Sequence, residues 1–510
     1  IFNNLKVDSF AVFIFTLSLP ITLFSIQYLV FNMLLWPFTF KPVIITLLLI
    51  SSSMNYFMYH YGIYIDADMV RNAIETNPGE TADLITTGLV LWTLFMGIIP
   101  SIIVATIKIN YPSVKKIILT RLIRIAITVL VLLIMAIFNY KQYAFFGRNH
   151  REIRKLVNPE NYVYATFRYF KKQALANREF KKLDETAEHK PYEDDHITAF
   201  ILIIGETART QNFSLNGYGR NTNPILSTYD DVISFRNVES AGTSTAISVP
   251  AIFSNKSRKE FKVEDAKYEE NFIDIIQNTG YEVLWKENDN GCKGVCNRVK
   301  TEVMDPKKNP KYCDGTYCYD EIMLEGLEEY LRNLKKDTFI VLHAIGSHGP
   351  TYYKRYPEEF KVFTPTCRTA ELQNCQKEDI VNTYDNTILY TDFFLSKVIN
   401  TLKKFPNLEA GMLYVSDHGE SLGENGLYLH GVPYAVAPDE QTKVPMILWM
   451  SETMQREDHI DYACMKKYIN EKLSHDNIFH SMVGLMEIDS KTYDKNLDMF
   501  EKCRTKPLPR

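Results

Sequence analysis

Charge is missing from long stretches of this sequence. Overall 23% of residues are charged, yet none stands between Asp8 and Lys41, and none between Lys41 and Asp66. Two more charge-free runs cover Leu84–Ile107 and, after Arg124, Ile125–Tyr140. A helix needs roughly 20 apolar residues to cross a bilayer. Four such runs, the fourth completed by its flanks, exclude a wholly water-soluble chain and predict four membrane helices within residues 1–140. Cysteine is also missing, but only from the first half: no cysteine precedes Cys292. No internal repeat or long low-complexity tract interrupts the chain beyond residue 196.

The connecting segments set the orientation. Lys108, Lys115, Lys116, Arg121 and Arg124 join the third and fourth runs with no acidic residue among them. Asp66, Asp68, Glu75, Glu80 and Asp83 join the second and third against a single Arg71. Basic residues collect on the cytoplasmic side, so the fourth helix leads outward and residues beyond 140 are exported. Counting back puts Ile1 outside too, and a fifth helix is expected upstream.

The eight cysteines all fall in the exported half, as Cys292/Cys296, Cys313/Cys318, Cys367/Cys375 and the distant Cys464/Cys503. An even count in an oxidising compartment reads as disulfides, with neighbour pairing the simplest connectivity. Short spacings also suit structural zinc, but the topology argues against it. Residues 141–195 interleave Arg148, Arg151, Arg154, Arg168 and Lys172 with Phe145, Phe146, Tyr164, Phe167 and Phe170. That mixture suits a helix lying in the headgroup layer, a bridge between membrane and exported domains. Nucleic acid is excluded as a partner by the exported location and the net charge of −4.

From residue 196 to 510 short apolar runs alternate with helical segments such as "YDEIMLEGLEEYLRNLKK". "ITAFILIIGE", "YEVLWKEN", "DTFIVLHAIGSHG", "AGMLYVSDHG" and "KVPMILWM" read as buried strands. The pattern predicts an α/β domain with a mostly parallel sheet covered on both faces, its site at the strand carboxyl ends. There the sequence puts Glu206, His348, Asp417 and His418, and "SAGTSTAISVP" supplies Thr243, Ser244 and Thr245 at a helix start. Alone, Glu206 reads as a helix cap, Thr245 as an N-cap and His348 as a core histidine. Converging, two carboxylates, an imidazole and a hydroxyl suit a divalent metal that activates the hydroxyl as nucleophile.

"IGETAR", "GTSTAISVP", "KENDNGCKGVC", "GSHGPTYYKRYP", "VNTYDNTILYTD" and "SDHGESLGENGLYLHGVPYAVAP" resemble the phosphoethanolamine transferases that modify lipid A. These are membrane members of the alkaline phosphatase and sulfatase superfamily, and the likeness runs over nearly the whole chain. The resemblance implies five membrane helices, a periplasmic catalytic domain with disulfides, and a monomer in the inner membrane of a Gram-negative bacterium. It implies Thr245 as nucleophile, with Glu206, Asp417, His418 and Thr245 itself around one firmly bound zinc. His348 and His430 match histidines that bind the phosphoryl group or a second zinc at the donor site. Asn288, Lys293 and Glu420 match residues beside the donor headgroup. Phosphatidylethanolamine is the implied donor, lipid A phosphate the acceptor, and resistance to polymyxin and cationic peptides the consequence. Some relatives carry cysteines where this chain has Ala241 and Ala251, so a disulfide across the threonine loop is absent. Alternatives are transfer to a core sugar of lipopolysaccharide, or a phosphoglycerol transferase of the lipoteichoic acid type. A sulfatase would need a C/S-x-P-x-R stretch, which the threonine loop lacks.

Overall fold

The structure, a computed structural model, describes residues 10–76, 78–149, 155–175, 179–192 and 196–509. Of the expected interfacial bridge, Arg151, Arg154 and the side chains of Phe145, Phe146 and Arg148 lie outside the described residues. The chain divides into two compact units: Ile1–His60, Tyr64–Asp66 and Thr87–Phe167 form one; Tyr61–Ile63, Ala67–Thr86 and Arg168–Arg510 the other.

Among the described residues seven helices precede the sheet: α1 (Phe10–Leu34), α2 (Phe40–Tyr61), α3 (Ala67–Glu75), α4 (Pro78–Leu84), α5 (Thr87–Thr106), α6 (Val114–Asn149) and α7 (Glu160–Leu175). Among the described residues α1, α2, α5 and α6 are long and apolar enough to span a membrane, as the charge-free runs predict. Their outward side chains are apolar, Phe24 and Phe138 being 68% and 78% exposed. That is the reverse of a water-soluble bundle and suits a hydrocarbon surround. The basic segment is mostly helix, since α6 starts at Val114 and carries Lys115, Lys116, Arg121 and Arg124 in its opening turns. Arg121 donates to the carbonyls of Asn32 and Leu35 at the end of α1 and lies 4.2 Å from the Trp36 ring. It thus satisfies carbonyls that the helix end leaves open.

The second unit is built on an eight-stranded sheet: β1 (Ile197–Gly205), β2 (Val232–Glu239), β3 (Glu282–Glu287), β4 (Lys300–Val303), β5 (Thr338–His343), β6 (Leu408–Ser416), β7 (Lys443–Met450) and β8 (Leu473–Ser474). The order is β8-β2-β7-β6-β1-β5-β3-β4, and only β7 runs antiparallel to its neighbours. All five runs read as strands are strands. Pro445, which cannot donate to a ladder, sits where the β7–β2 register shifts between Val444 and Met446. Alternate residues of β1 enter two separate cores: Phe200, Leu202 and Ile204 on one face, Ala199, Ile201 and Ile203 on the other. The first core takes Phe479 and Met482 from a covering helix at Asp476–Leu485; the second takes Tyr384, Ile388 and Leu395 from the helix at Lys377–Leu402. Each such fully buried side chain contributes about 1.5–3 kcal/mol. The expected helix over 319–336 is instead a 3₁₀ turn at Asp320–Leu324 and a helix at Leu327–Arg332, divided by Gly326 at φ +72°.

All eight cysteines are paired as the neighbour reading predicts: Cys292–Cys296, Cys313–Cys318, Cys367–Cys375 and Cys464–Cys503.

Candidate active site

β6, β1 and β5 are adjacent at the sheet centre, and their carboxyl ends deliver Asp417 and His418, Glu206, and the loop to His348. The β1 end is tightly held. Asp417 N donates to Gly205 O at 2.9 Å, Ala208 N to Ser416 Oγ at 2.8 Å and Thr207 N to Asp417 Oδ1 at 3.2 Å. Thr207 sits at φ +53°, a left-handed conformation that costs a non-glycine residue about 1 kcal/mol or more. Gly346, at φ +48°, lets the β5 loop pass against Glu206; a Cβ there would meet Glu206 O at 2.7 Å.

Thr245 opens the helix Thr245–Ile252, and its Oγ1 lies 3.1 and 3.3 Å from the two Glu206 oxygens, as a donor. Ser244 is the N-cap residue, without a side-chain cap bond. Thr243 is no cap: its hydroxyl donates to Val432 O at 2.7 Å and ties the loop to the 430s segment.

Glu206, Asp417 and His418 offer ligand atoms within 4.8 Å of one another, all three buried. His418 Nδ1 lies 2.9 Å from Gly419 O, so this nitrogen carries the proton and Nε2 is a bare lone pair. That Nε2 and Asp417 Oδ2 are buried without hydrogen-bond partners, 3.3 Å apart. Burial, reinforced by His430, holds the His418 pKa well below the usual histidine value, so the ring stays neutral. Burial lifts Asp417 to about 6; burial and the charges of Asp417 and Asp289 lift Glu206 well above the ordinary carboxylate range. Unpaired inward-facing donors with this much carboxylate charge fit a zinc ion, for which one imidazole, carboxylates and a hydroxyl are an ordinary ligand set.

The residues expected at the donor headgroup separate into two groups. His348 and His430 come together, ring centroids 6.0 Å apart, and His430 stands 4.4 Å from His418. Glu420 is buried beneath them, with Oε2 2.8 Å from His430 Nδ1 and Oε1 accepting the Tyr352 hydroxyl at 2.5 Å. Lys293 shares their small polar cleft with Thr245. Asn288 does not: its amide donates to Cys318 O at 3.2 Å and Asp320 Oδ1 at 2.8 Å, bracing the β5 loop. Asn290, two residues on, lines the cleft instead.

Sequence reasoning missed the contribution of α3 and α4. Asn72, Glu75, Thr76 and Glu80 line the same cleft as Thr245, and Glu80 lies 3.3 Å from His348 Nε2 while accepting from Asn290 Nδ2 at 2.7 Å. Burial alone would raise the Glu80 pKa; His348, His430 and Lys293 outweigh it and hold it at about 2. Glu80 in turn raises the His348 pKa against the lowering effect of its burial. The available signal was the run of acids at residues 66–83, which carries topological information and hides a site inside it.

The family profile described as Sulfatase matches residues 198–488, and one described as phosphoethanolamine transferase EptA/EptB matches residues 23–174. Fold and strand-end cluster together define the class: an alkaline phosphatase/sulfatase-type domain joined to membrane helices. Phosphoethanolamine transferase EptA of Escherichia coli strain K12 is 42% identical over 510 residues, covering 99% of this chain and 93% of that protein. Phosphatidylethanolamine transferase Mcr-1 of Escherichia coli is 38% identical, covering 85% and 83%. The solved integral membrane lipooligosaccharide phosphoethanolamine transferase A of Neisseria meningitidis superposes with a TM-score of 0.92 at 40% identity, covering 96% and 92%. The chain belongs to the phosphoethanolamine transferase family.

Proposed function

We propose that the chain transfers phosphoethanolamine from phosphatidylethanolamine to a phosphate of lipid A, with Thr245 as the nucleophile. The observation that carries this reading is the Thr245 hydroxyl bonded to Glu206 beside the unpaired Asp417 Oδ2 and His418 Nε2. Glu206, Thr245, Asp417 and His418 would hold a zinc ion, which would lower the proton affinity of the hydroxyl and offset charge building on the phosphoryl group.

The cleft supports the substrate class by charge. Lys293, His348 and His430 suit the phosphate of the headgroup, and Glu75 and Glu80 suit its ammonium. Thr245 Oγ1 attacks phosphorus as its proton passes to Glu206, and the bond to diacylglycerol breaks. His348, its proton affinity raised by Glu80, protonates the departing oxygen. A phosphothreonine carrying ethanolamine remains. A lipid A phosphate oxygen then displaces Thr245 from phosphorus, and the hydroxyl recovers its proton.

Both substrates are lipids, which accords with α1, α2, α5 and α6 anchoring the enzyme in the inner membrane with this domain in the periplasm. The added ammonium offsets phosphate charge and weakens binding of polymyxin and other cationic peptides. Mass spectrometry of lipid A from cells with and without the protein is the test; lipid A without added phosphoethanolamine in expressing cells rejects the reading.

A further inference from the structure

A second cluster also includes Glu206. Glu206, Asp289 and His343 also offer ligand atoms within 4.8 Å of one another. The His343 and Asp289 side chains are 0% and 1% exposed. His343 Nε2 and both Asp289 carboxylate oxygens are buried with no hydrogen-bond partner. We propose that these three residues form a second divalent-metal site, sharing the Glu206 carboxylate with the Asp417–His418 site.

The ring orientation supports a ligand role. His343 Nδ1 lies 2.9 Å from both oxygens of Glu287, so Nδ1–H donates to that carboxylate and Nε2 is the nitrogen that faces Asp289. Glu287 is fixed as an acceptor by Trp285 Nε1–H at 2.8 Å and Asp289 N–H at 2.9 Å. A carboxylate that orients a histidine from behind, leaving the other nitrogen bare, is the usual outer support of a metal ligand.

Charge argues the same way. Glu206, Glu287, Asp289 and Asp417 lie close together, and among the described residues no Lys or Arg forms an ion pair with any of them. Divalent cations at the two sites would let these carboxylates ionise together. Without a cation, burial lowers the His343 pKa but Glu287 and Asp289 outweigh it and raise it to about 9. A metal at this site would therefore take the place of a proton on Nε2, which stands 3.9 Å from Asp289 Oδ2. Two carboxylates and one imidazole suit zinc or manganese.

The inference rests on Glu206 also serving the first site, and the experiment separates the two. Crystals of the full-length wild-type protein, soaked in zinc or in manganese, are measured at each metal's absorption edge. Anomalous density among Glu206, Asp289 and His343, in addition to that at Asp417–His418, is expected. In purified protein equilibrated with zinc, Asp289→Asn should lose one metal equivalent while Asp417→Asn loses the other. Density at Asp417–His418 alone with either metal overturns the second site and leaves the first standing; density at neither overturns both. Wild-type stoichiometry in folded Asp289→Asn also overturns the second site.

Discussion

His475 fastens Ala241, the residue at the start of the threonine loop: its Nδ1 accepts the Ala241 N–H at 3.0 Å. Its Nε2, which must then carry the proton, lies 3.0 Å from Ser416 O at the end of β6. One neutral imidazole therefore spans from the Thr245 loop to the strand that delivers Asp417. A buried histidine thus ties the loop down.

The tie has a pH signature. Burial depresses the His475 pKa to about 4 against an unfolded value of 6.5. Between these values the unfolded chain binds a proton that the folded chain refuses, so stability rises with pH across this window and is lost as pH falls from 6.5 through 4. The full effect is about 3 kcal/mol. Urea melts of wild type and His475→Gln at pH 7 and pH 4.5 test it. The variant should be less stable at pH 7 and lose less than wild type on acidification; equal losses would refute the assignment.

Glu80 and His348 make a second pair with a kinetic consequence. Removing Glu80 takes away what raises the His348 pKa. In Glu80→Gln the alkaline limb of the rate profile should therefore move to lower pH, and kcat/KM should fall about tenfold, ~1.4 kcal/mol of barrier. An unmoved limb would separate His348 from proton transfer.

The ends of β1 and β6 were legible in the sequence because both are continuous apolar runs that stop abruptly, before Glu206 and Asp417; β5 ends at His343, five residues short of the His348 read at its end. The cysteine pairs were legible because three of them are close in sequence. Glu80 was not, because no local pattern tells an acid facing water from one folded back against a histidine 268 residues away. The resemblance pointed to Asn288, but its amide is spent on Cys318 O and Asp320 Oδ1, contacts distant in sequence that no local pattern shows. The covering helix at 319–336 failed at Gly326, whose left-handed backbone overrides good helix formers on both sides.

The disulfides should rank by the chain they enclose. Cys464–Cys503 spans 39 residues and Cys292–Cys296 only 4. Chain-entropy arithmetic gives about 4 kcal/mol for the first and about 2 kcal/mol for the second. Double serine replacements of each pair, compared by denaturant melts, should follow that order, and alkylation of unreduced protein should label no cysteine. A reversed order would mean that native contacts, not the unfolded chain, set the effect.

Thr245 gives the sharpest test. Its hydroxyl is a donor to Glu206, and Asp417 Oδ2 and His418 Nε2 remain as donor atoms without it. Thr245→Ala should therefore fold and retain zinc at Glu206, Asp417 and His418, yet lose transfer by roughly a thousandfold or more. Thr245→Ser keeps the hydroxyl but loses the methyl that restricts its rotamer, so part of the rate should survive. Wild-type protein given phosphatidylethanolamine without acceptor should carry a mass increase on the Thr245 peptide. Thr243 is the control, since its hydroxyl is spent on Val432 O. Thr243→Ala should cost about 1 kcal/mol of stability and leave the adduct in place. Wild-type transfer by Thr245→Ala, or an adduct on Thr243 or Ser244, would move the nucleophile elsewhere in the loop.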